Sequence, residues 1–190
     1  RLDELLDEEL STPYAVFGHS MGALIGYRLV QHRMARGATL PEIFFAAAYA
    51  APHLARPVLG GDTLDAVDDA RLARRLRAIG GIPEELLARP DWLRVLLRTV
   101  RTDLRLCAGH RYRPAPPLPM PVQVFAGRHD PLVDPERVRG WRRHAGGPFR
   151  CDVLDGGHFL VQDRTPGLLC ALRARLPAAV PAARLLQPSP

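Results

Sequence analysis

Lysine is missing from all 190 residues, so the 26 basic positions are arginines and the formal net charge of +6 rests on arginine alone. Beside abundant Ala, Pro and Leu, that absence reads as a bias toward GC-rich coding rather than selection for a binding surface. No basic tract with interleaved aromatics is present either. The arginines are scattered among apolar and acidic residues, which argues against nucleic-acid binding. Long hydrophobic runs are also lacking: nothing approaches the ~20 apolar residues that span a bilayer, and Arg1 to Leu10 is too charged for a signal peptide. Cysteine is scarce. Cys107, Cys151 and Cys170 are odd in number, form no Cys-x-x-Cys and lack metal-type spacing. They read as structural thiols in a reducing compartment, with no metal centre. A cytoplasmic protein without a membrane partner is expected.

What is present is enough for a core, since 47% of the chain is hydrophobic and 24% charged. One globular domain over residues 1–176 is expected, followed by an Ala/Pro tail over 177–190 that reads as disordered. Leu2, Leu5, Leu6 and Leu10 fall at helical spacing and predict an amphipathic opening helix. Tyr14 to Gly18 reads as a buried strand, and a helix is expected from Met21 to Arg36. Ile43 to Ala50 reads as a strand, with helix as a rival because of its alanines. A helix-rich insertion covers 62–113, with Leu64, Val67, Leu72 and Leu76 in one amphipathic segment and Trp92, Val95 and Leu96 in another. Val122 to Ala126 and Phe149 to Leu154 read as strands, separated by helical spacing from Asp134 to His144. A last helix is expected to about Leu176. Strands alternating with helices predict an α/β fold with a mainly parallel sheet.

Gly18-His19-Ser20-Met21-Gly22 matches G-x-S-x-G, a turn that lifts a serine above a sheet between a strand and a helix. The sharp turn is expected to leave no room for side chains at its two flanking positions, which Gly18 and Gly22 satisfy. A bare Gly-rich turn with an incidental serine is the competing reading. The Met21 N–H, at the helix N-terminus, is expected to supply one donor of an oxyanion hole. A serine hydroxyl is a weak nucleophile that needs an imidazole base, itself oriented by an acid. In α/β-hydrolases the chain order is Ser, acid, His. Asp130 follows one predicted strand and His158 the next. Of the rival acids, Asp134 is expected to cap a helix and Asp155 to turn the chain. His19 is expected to shape the pocket, whereas His32, His53, His110, His129 and His144 carry solvent or turn readings.

GHSMGALIGYRL, Ala51-Pro52-His53, Gly80-Gly81-Ile82-Pro83, RTDLR, Gly127 to Val133, Trp141 and GGHFL occur in an order that resembles type II thioesterases. These are the stand-alone editing thioesterases of polyketide and non-ribosomal peptide assembly lines. The resemblance extends to about Asp163. It implies the α/β-hydrolase fold with a helical lid over 62–113, Ser20 as nucleophile, Asp130 as acid and His158 as base. It also implies hydrolysis of acyl groups on the phosphopantetheine arm of acyl or peptidyl carrier proteins, without a cofactor. A monomer is expected. Lid arginines Arg71, Arg74, Arg75 and Arg77 are candidates for steering an acidic carrier.

The family begins with strands and a glycine-containing loop that precede Arg1 here, and that loop supplies a second oxyanion donor. The resemblance therefore implies a truncated chain whose activity is in question. Two other functions are consistent with the residues. One is an esterase or lipase acting on soluble esters. The other is an inactive thioesterase remnant that binds carriers.

Overall fold

A computed structural model of the chain describes residues 2–55, 67–163, 165–176 and 178. Four strands, β1 (Ala15–His19), β2 (Ile43–Ala47), β3 (Val122–Gly127) and β4 (Phe149–Leu154), lie side by side in that order, every pair parallel. Parallel neighbours require crossovers. Helix α2 (Met21–Arg36) makes the first; α3 (Asp69–Ala78), α4 (Glu84–Leu87) and α5 (Pro90–Gly109) lie in the second. The third carries α6 (Pro135–Arg139) and a 3-10 turn, Gly140–His144. Before β1 come α1 (Leu2–Leu5) and the 3-10 turn Glu9–Ser11; after β4 come α7 (Leu160–Asp163) and α8 (Thr165–Arg173). This is the α/β architecture expected from the sequence.

β2 and β3 are buried at every position, as strands covered on both faces must be. Phe44 and Ala46 of β2 join one buried cluster with Ala23, Leu24, Tyr27 and Val30 of α2 and with Trp141. Ile43, Phe45 and Ala47 point the other way and meet Leu160 and Leu168. The period-2 alternation thus serves two cores, one on each face. Gly26 lets α2 approach the sheet: a Cβ there would lie 3.0 Å from Val16 and 3.3 Å from Phe44. β2 ends at Ala47 rather than Ala50 because Ala48 turns into the left-handed region at φ 52°.

Helices α3 to α5 form a layer with a buried cluster of their own, made of Val67, Leu72, Ala73, Leu76, Ile82 and Leu97. Val67 lies before the helix rather than within it, and Leu64 lies outside the described residues. Asp68 caps α3 by accepting the Arg71 N–H at 2.7 Å. Val67 and Leu72 flank that cap as a hydrophobic staple. The inward face of α5 also differs from expectation. Trp92 is 64% exposed and Val95 is exposed too, while Leu93, Leu96, Leu97, Val100 and Leu104 meet the cluster. The expected Asp134 cap is present, its carboxylate accepting the Glu136 N–H at 2.7 Å.

The opening segment corrects a simple amphipathic reading. Leu2 and Leu5 are exposed and Asp3 is the buried residue, 2% exposed. Its carboxylate meets the guanidinium groups of Arg33 and Arg36 of α2. Arg33, itself buried, also donates to Asp7 at 3.0 Å, to the Leu10 carbonyl at 3.2 Å and to the Thr39 carbonyl at 2.8 Å. Burial pushes the Asp3 carboxyl up, but the two arginines outweigh it and hold the group below its usual range. Residues 1, 56–66, 164, 177 and 179–190 lie outside the described residues, and the tail expected over 177–190 falls there apart from residue 178. Among the described residues no helix is long and apolar enough to cross a membrane.

Candidate active site

The pentapeptide after β1 has the geometry its glycines suggest. Ser20 sits at φ 51° and ψ −121°, a region a non-glycine residue occupies only under constraint. The constraint is visible on both sides. The Ser20 N–H continues the sheet ladder to the Ala47 carbonyl at 2.8 Å, and its own carbonyl accepts the Ala23 N–H at 2.9 Å. A Cβ on Gly18 would lie 2.4 Å from the Gly22 carbonyl oxygen, so no side chain fits there. Gly22 departs from expectation: among the described residues nothing lies within 4 Å of a Cβ built on it. Only the first flanking glycine is enforced by space.

β3 and β4 deliver the other two groups. Their ladder runs on past the strand ends, with the Arg128 N–H donating to Leu154 O at 2.8 Å and the His129 N–H to Gly156 O at 3.0 Å. Gly127 makes this approach possible, since a Cβ on it would lie 2.3 Å from the Gly157 oxygen and 2.7 Å from that of Gly156. The His129 ring and the Asp155 carboxylate, 3.0 Å apart, add an exposed tie between the same two loops. Asp155 therefore does more than turn the chain.

Ser20, His158 and Asp130 then form one line. Ser20 Oγ is 3.0 Å from His158 Nε2, and His158 Nδ1 is 2.9 Å from Asp130 Oδ2. The His158 and Asp130 side chains are 5% and 0% exposed. The other carboxylate oxygen, Oδ1, accepts the Leu132 N–H at 2.8 Å and the Val133 N–H at 3.1 Å. An ionised carboxylate only accepts, so Nδ1–H must donate to it, which leaves Nε2 as the acceptor of the serine proton. Met21 opens a 16-residue helix, where its N–H has no intrahelical acceptor and the helix dipole favours negative charge. Such an arrangement can deprotonate a hydroxyl, hold the resulting imidazolium and place a donor near an oxyanion.

Two neighbours flank this line, His19, expected to shape the pocket, and Phe159 of GGHFL. His19 Nε2 donates to the His158 carbonyl at 2.7 Å, and its ring centroid lies 5.4 Å from that of His158. Burial lowers its pKa; the hydrogen bond to the His158 backbone opposes this and the His158 charge adds to it. Phe159 packs against both imidazoles, at 5.9 Å from His19 and 5.2 Å from His158. His144 and His53 are corrections to their solvent or turn readings. His144 is 2% exposed, with Nε2 2.8 Å from His53 Nδ1 and Nδ1 3.3 Å from the Tyr27 hydroxyl. Among the described residues no group of three or more His, Cys, Asp or Glu is placed to hold a metal ion.

With this geometry in place, comparison with known proteins is decisive at the family level. The sequence profile of the thioesterase domain matches residues 2–176. The chain belongs to the thioesterase domain family. This thioesterase domain is 31% identical over 178 residues to linear gramicidin dehydrogenase LgrE of Brevibacillus parabrevis, covering 92% of the chain and 66% of that protein. It is 31% identical over 176 residues to thioesterase PikA5 of Streptomyces venezuelae, covering 92% of the chain and 61% of that protein. The chain thus spans less than two thirds of either relative's length. Among solved structures it resembles RedJ, the thioesterase of the prodiginine biosynthetic pathway in Streptomyces coelicolor. The TM-score is 0.84 and the identity 32%, over 92% of this chain and 68% of that one.

Proposed function

We propose that this thioesterase domain hydrolyses acyl thioesters held on the phosphopantetheine arm of acyl or peptidyl carrier proteins. The observation that carries the proposal is the unbroken Ser20, His158, Asp130 line in a chain of this family. The names of PikA5, a thioesterase, and RedJ, a thioesterase of a biosynthetic pathway, support the substrate class. The dehydrogenase name of LgrE is not carried over, because the sequence has no G-x-G-x-x-G dinucleotide fingerprint.

In this reading Ser20 Oγ attacks the thioester carbonyl while His158 Nε2 takes its proton, and Asp130 steadies the imidazolium. Met21 N–H donates to the oxyanion. Collapse breaks the C–S bond, and the His158 proton goes to the departing thiolate. A water then gives its proton to His158 and its oxygen to the acyl carbon, releasing the acid and restoring Ser20. No cofactor enters. Helices α3 to α5 act as the lid, with Arg71, Arg74, Arg75 and Arg77 on α3 among the groups facing an acidic carrier. The protein works as a monomer in the cytoplasm.

The test is acyl release from an acetylated carrier protein by this chain and by Ser20→Ala. Release by the first and none by the second is expected, with faster turnover on the carrier thioester than on a soluble ester of equal acyl length. The reverse preference would make it an esterase. Carrier binding by both chains with release by neither would make it a binding module and overturn the proposal.

A further inference from the structure

We propose that His19 is a positioning residue, whose imidazole holds the main chain of His158 in place and, with Phe159, ties that segment to the Gly80-Gly81 turn of the α3–α4 connection. The proposal rests on the reading of Ser20, His158 and Asp130 as the reacting line. It adds a group that touches none of the reacting atoms.

The need for such a group follows from how His158 is mounted. Its side chain must keep Nε2 at 3.0 Å from Ser20 Oγ and Nδ1 at 2.9 Å from Asp130 at once. The residue sits between a double glycine and the start of α7, two positions beyond the Gly156 carbonyl at which the β3–β4 ladder bonds stop. A carbonyl that rotates about the His158 backbone carries the imidazole with it, and misplacement by about 1 Å is enough to cost ~10²-fold in rate. The His19 hydrogen bond, 2.7 Å long and short for N–H···O, fixes that carbonyl. Its donor is rooted at the end of β1, next to Ser20 itself, so nucleophile and base are referenced to the same strand.

A carbonyl can only accept, so His19 Nε2 carries a proton, and burial of the ring, the largest influence on it, disfavours a second one. That matters because the ring lies 5.4 Å from the imidazole that must take up a proton during the reaction. An arginine in the same role would place a permanent cation there. Phe159 extends the contact outward. Its ring lies against both imidazoles, and on its far side a Cβ added to Gly81 would come within 3.0 and 3.1 Å of ring atoms. The helical layer therefore reaches the base through one aromatic ring, at a turn where Gly80 holds φ 78°.

Three substitutions at one position separate positioning from packing. His19→Gln puts an amide nitrogen where Nε2 stands; His19→Asn puts it where Nδ1 stands, too short to reach; His19→Leu removes the donor. On acetylated carrier protein, His19→Asn and His19→Leu are expected to lower kcat 10- to 100-fold with KM within about twofold, and His19→Gln to recover most of the loss. A proton NMR readout needs no turnover: the low-field His158 Nδ1–H signal should be sharp in the wild type and His19→Gln and broadened by exchange in His19→Asn. Gly81→Ala, which presses on Phe159, should lower kcat in the same sense. Wild-type kcat and a sharp Nδ1–H signal in His19→Asn would overturn the proposal while leaving the catalytic reading intact. A wild-type chain that releases no acyl group, yet shows the expected NMR pattern, would sink the catalytic reading and leave the positioning role standing.

Discussion

Asp130 shows how much one side chain is asked to do. One oxygen is held by the Leu132 and Val133 N–H groups, which leaves the other for His158. In Asp130→Asn the two backbone donors would keep the amide oxygen for themselves and turn the NH2 toward His158. Nδ1 would then have to accept, Nε2 would carry the hydrogen, and the base could no longer take the serine proton. Turnover of a carrier-bound thioester is expected to fall by roughly 10⁴ with the fold intact, as for the corresponding change in a serine protease. Steady-state hydrolysis beside a thermal melt checks both halves. Ser20 itself is held at positive φ, at a cost of about 1–3 kcal/mol that the Gly18 contact and the ladder bond to Ala47 sustain.

At the scale of elements, the cap of α3 offers the cleanest measurement. The Asp68 side chain caps that helix, and the staple of Val67 and Leu72 shapes the entry beside it. Asp68→Ala is expected to cost about 1 kcal/mol in denaturant unfolding, read as a lower midpoint at unchanged slope. The same scale shows what sequence makes legible. α2, β3 and β4 were readable nearly to the residue, because glycine, proline and periodicity mark their ends locally. Ser20, Asp130 and His158 could be picked out as candidates because each follows a strand, and the fold brings their side chains together. The inward face of the opening segment could not be read, since Asp3 is buried against Arg33 and Arg36, thirty and more positions on. Nor could the exposed Trp92, whose helix turns Leu97 inward, or the pairing of His53 with His144 across 91 positions. Contacts of that range leave no periodic trace in the chain.

For the whole molecule, buried His144, paired with the half-buried His53, sets a pH limit on stability. Burial, then the charges of His53 and Arg143, push His144 down to about 4 from an ordinary 6.5. Tyr27, Tyr112 and Trp141 complete its surroundings. A histidine with a depressed folded-state pKa contributes its full stability above the unfolded value. The contribution is lost as pH falls from about 6.5 through 4, and no more is lost below that. The loss amounts to roughly 3 kcal/mol over the window. Unfolding midpoints measured from pH 7 to pH 4 are expected to drop for the native chain and to drop less for His144→Phe.

The joined ends of β3 and β4 carry a mechanical consequence. Because backbone bonds bind the loop that carries Asp130 to the loop that carries His158, the site consists of two bodies instead of three, and a single offset between them has to be kept. That offset is spanned by β1, β2 and β3, two strand spacings of about 4.8 Å each, with hydrogen bonds reaching as far as Ser20 at one end and Ala48 in the middle. Positional error at Ser20 is thereby set by the stiffness of a sheet rather than by the wander of loops.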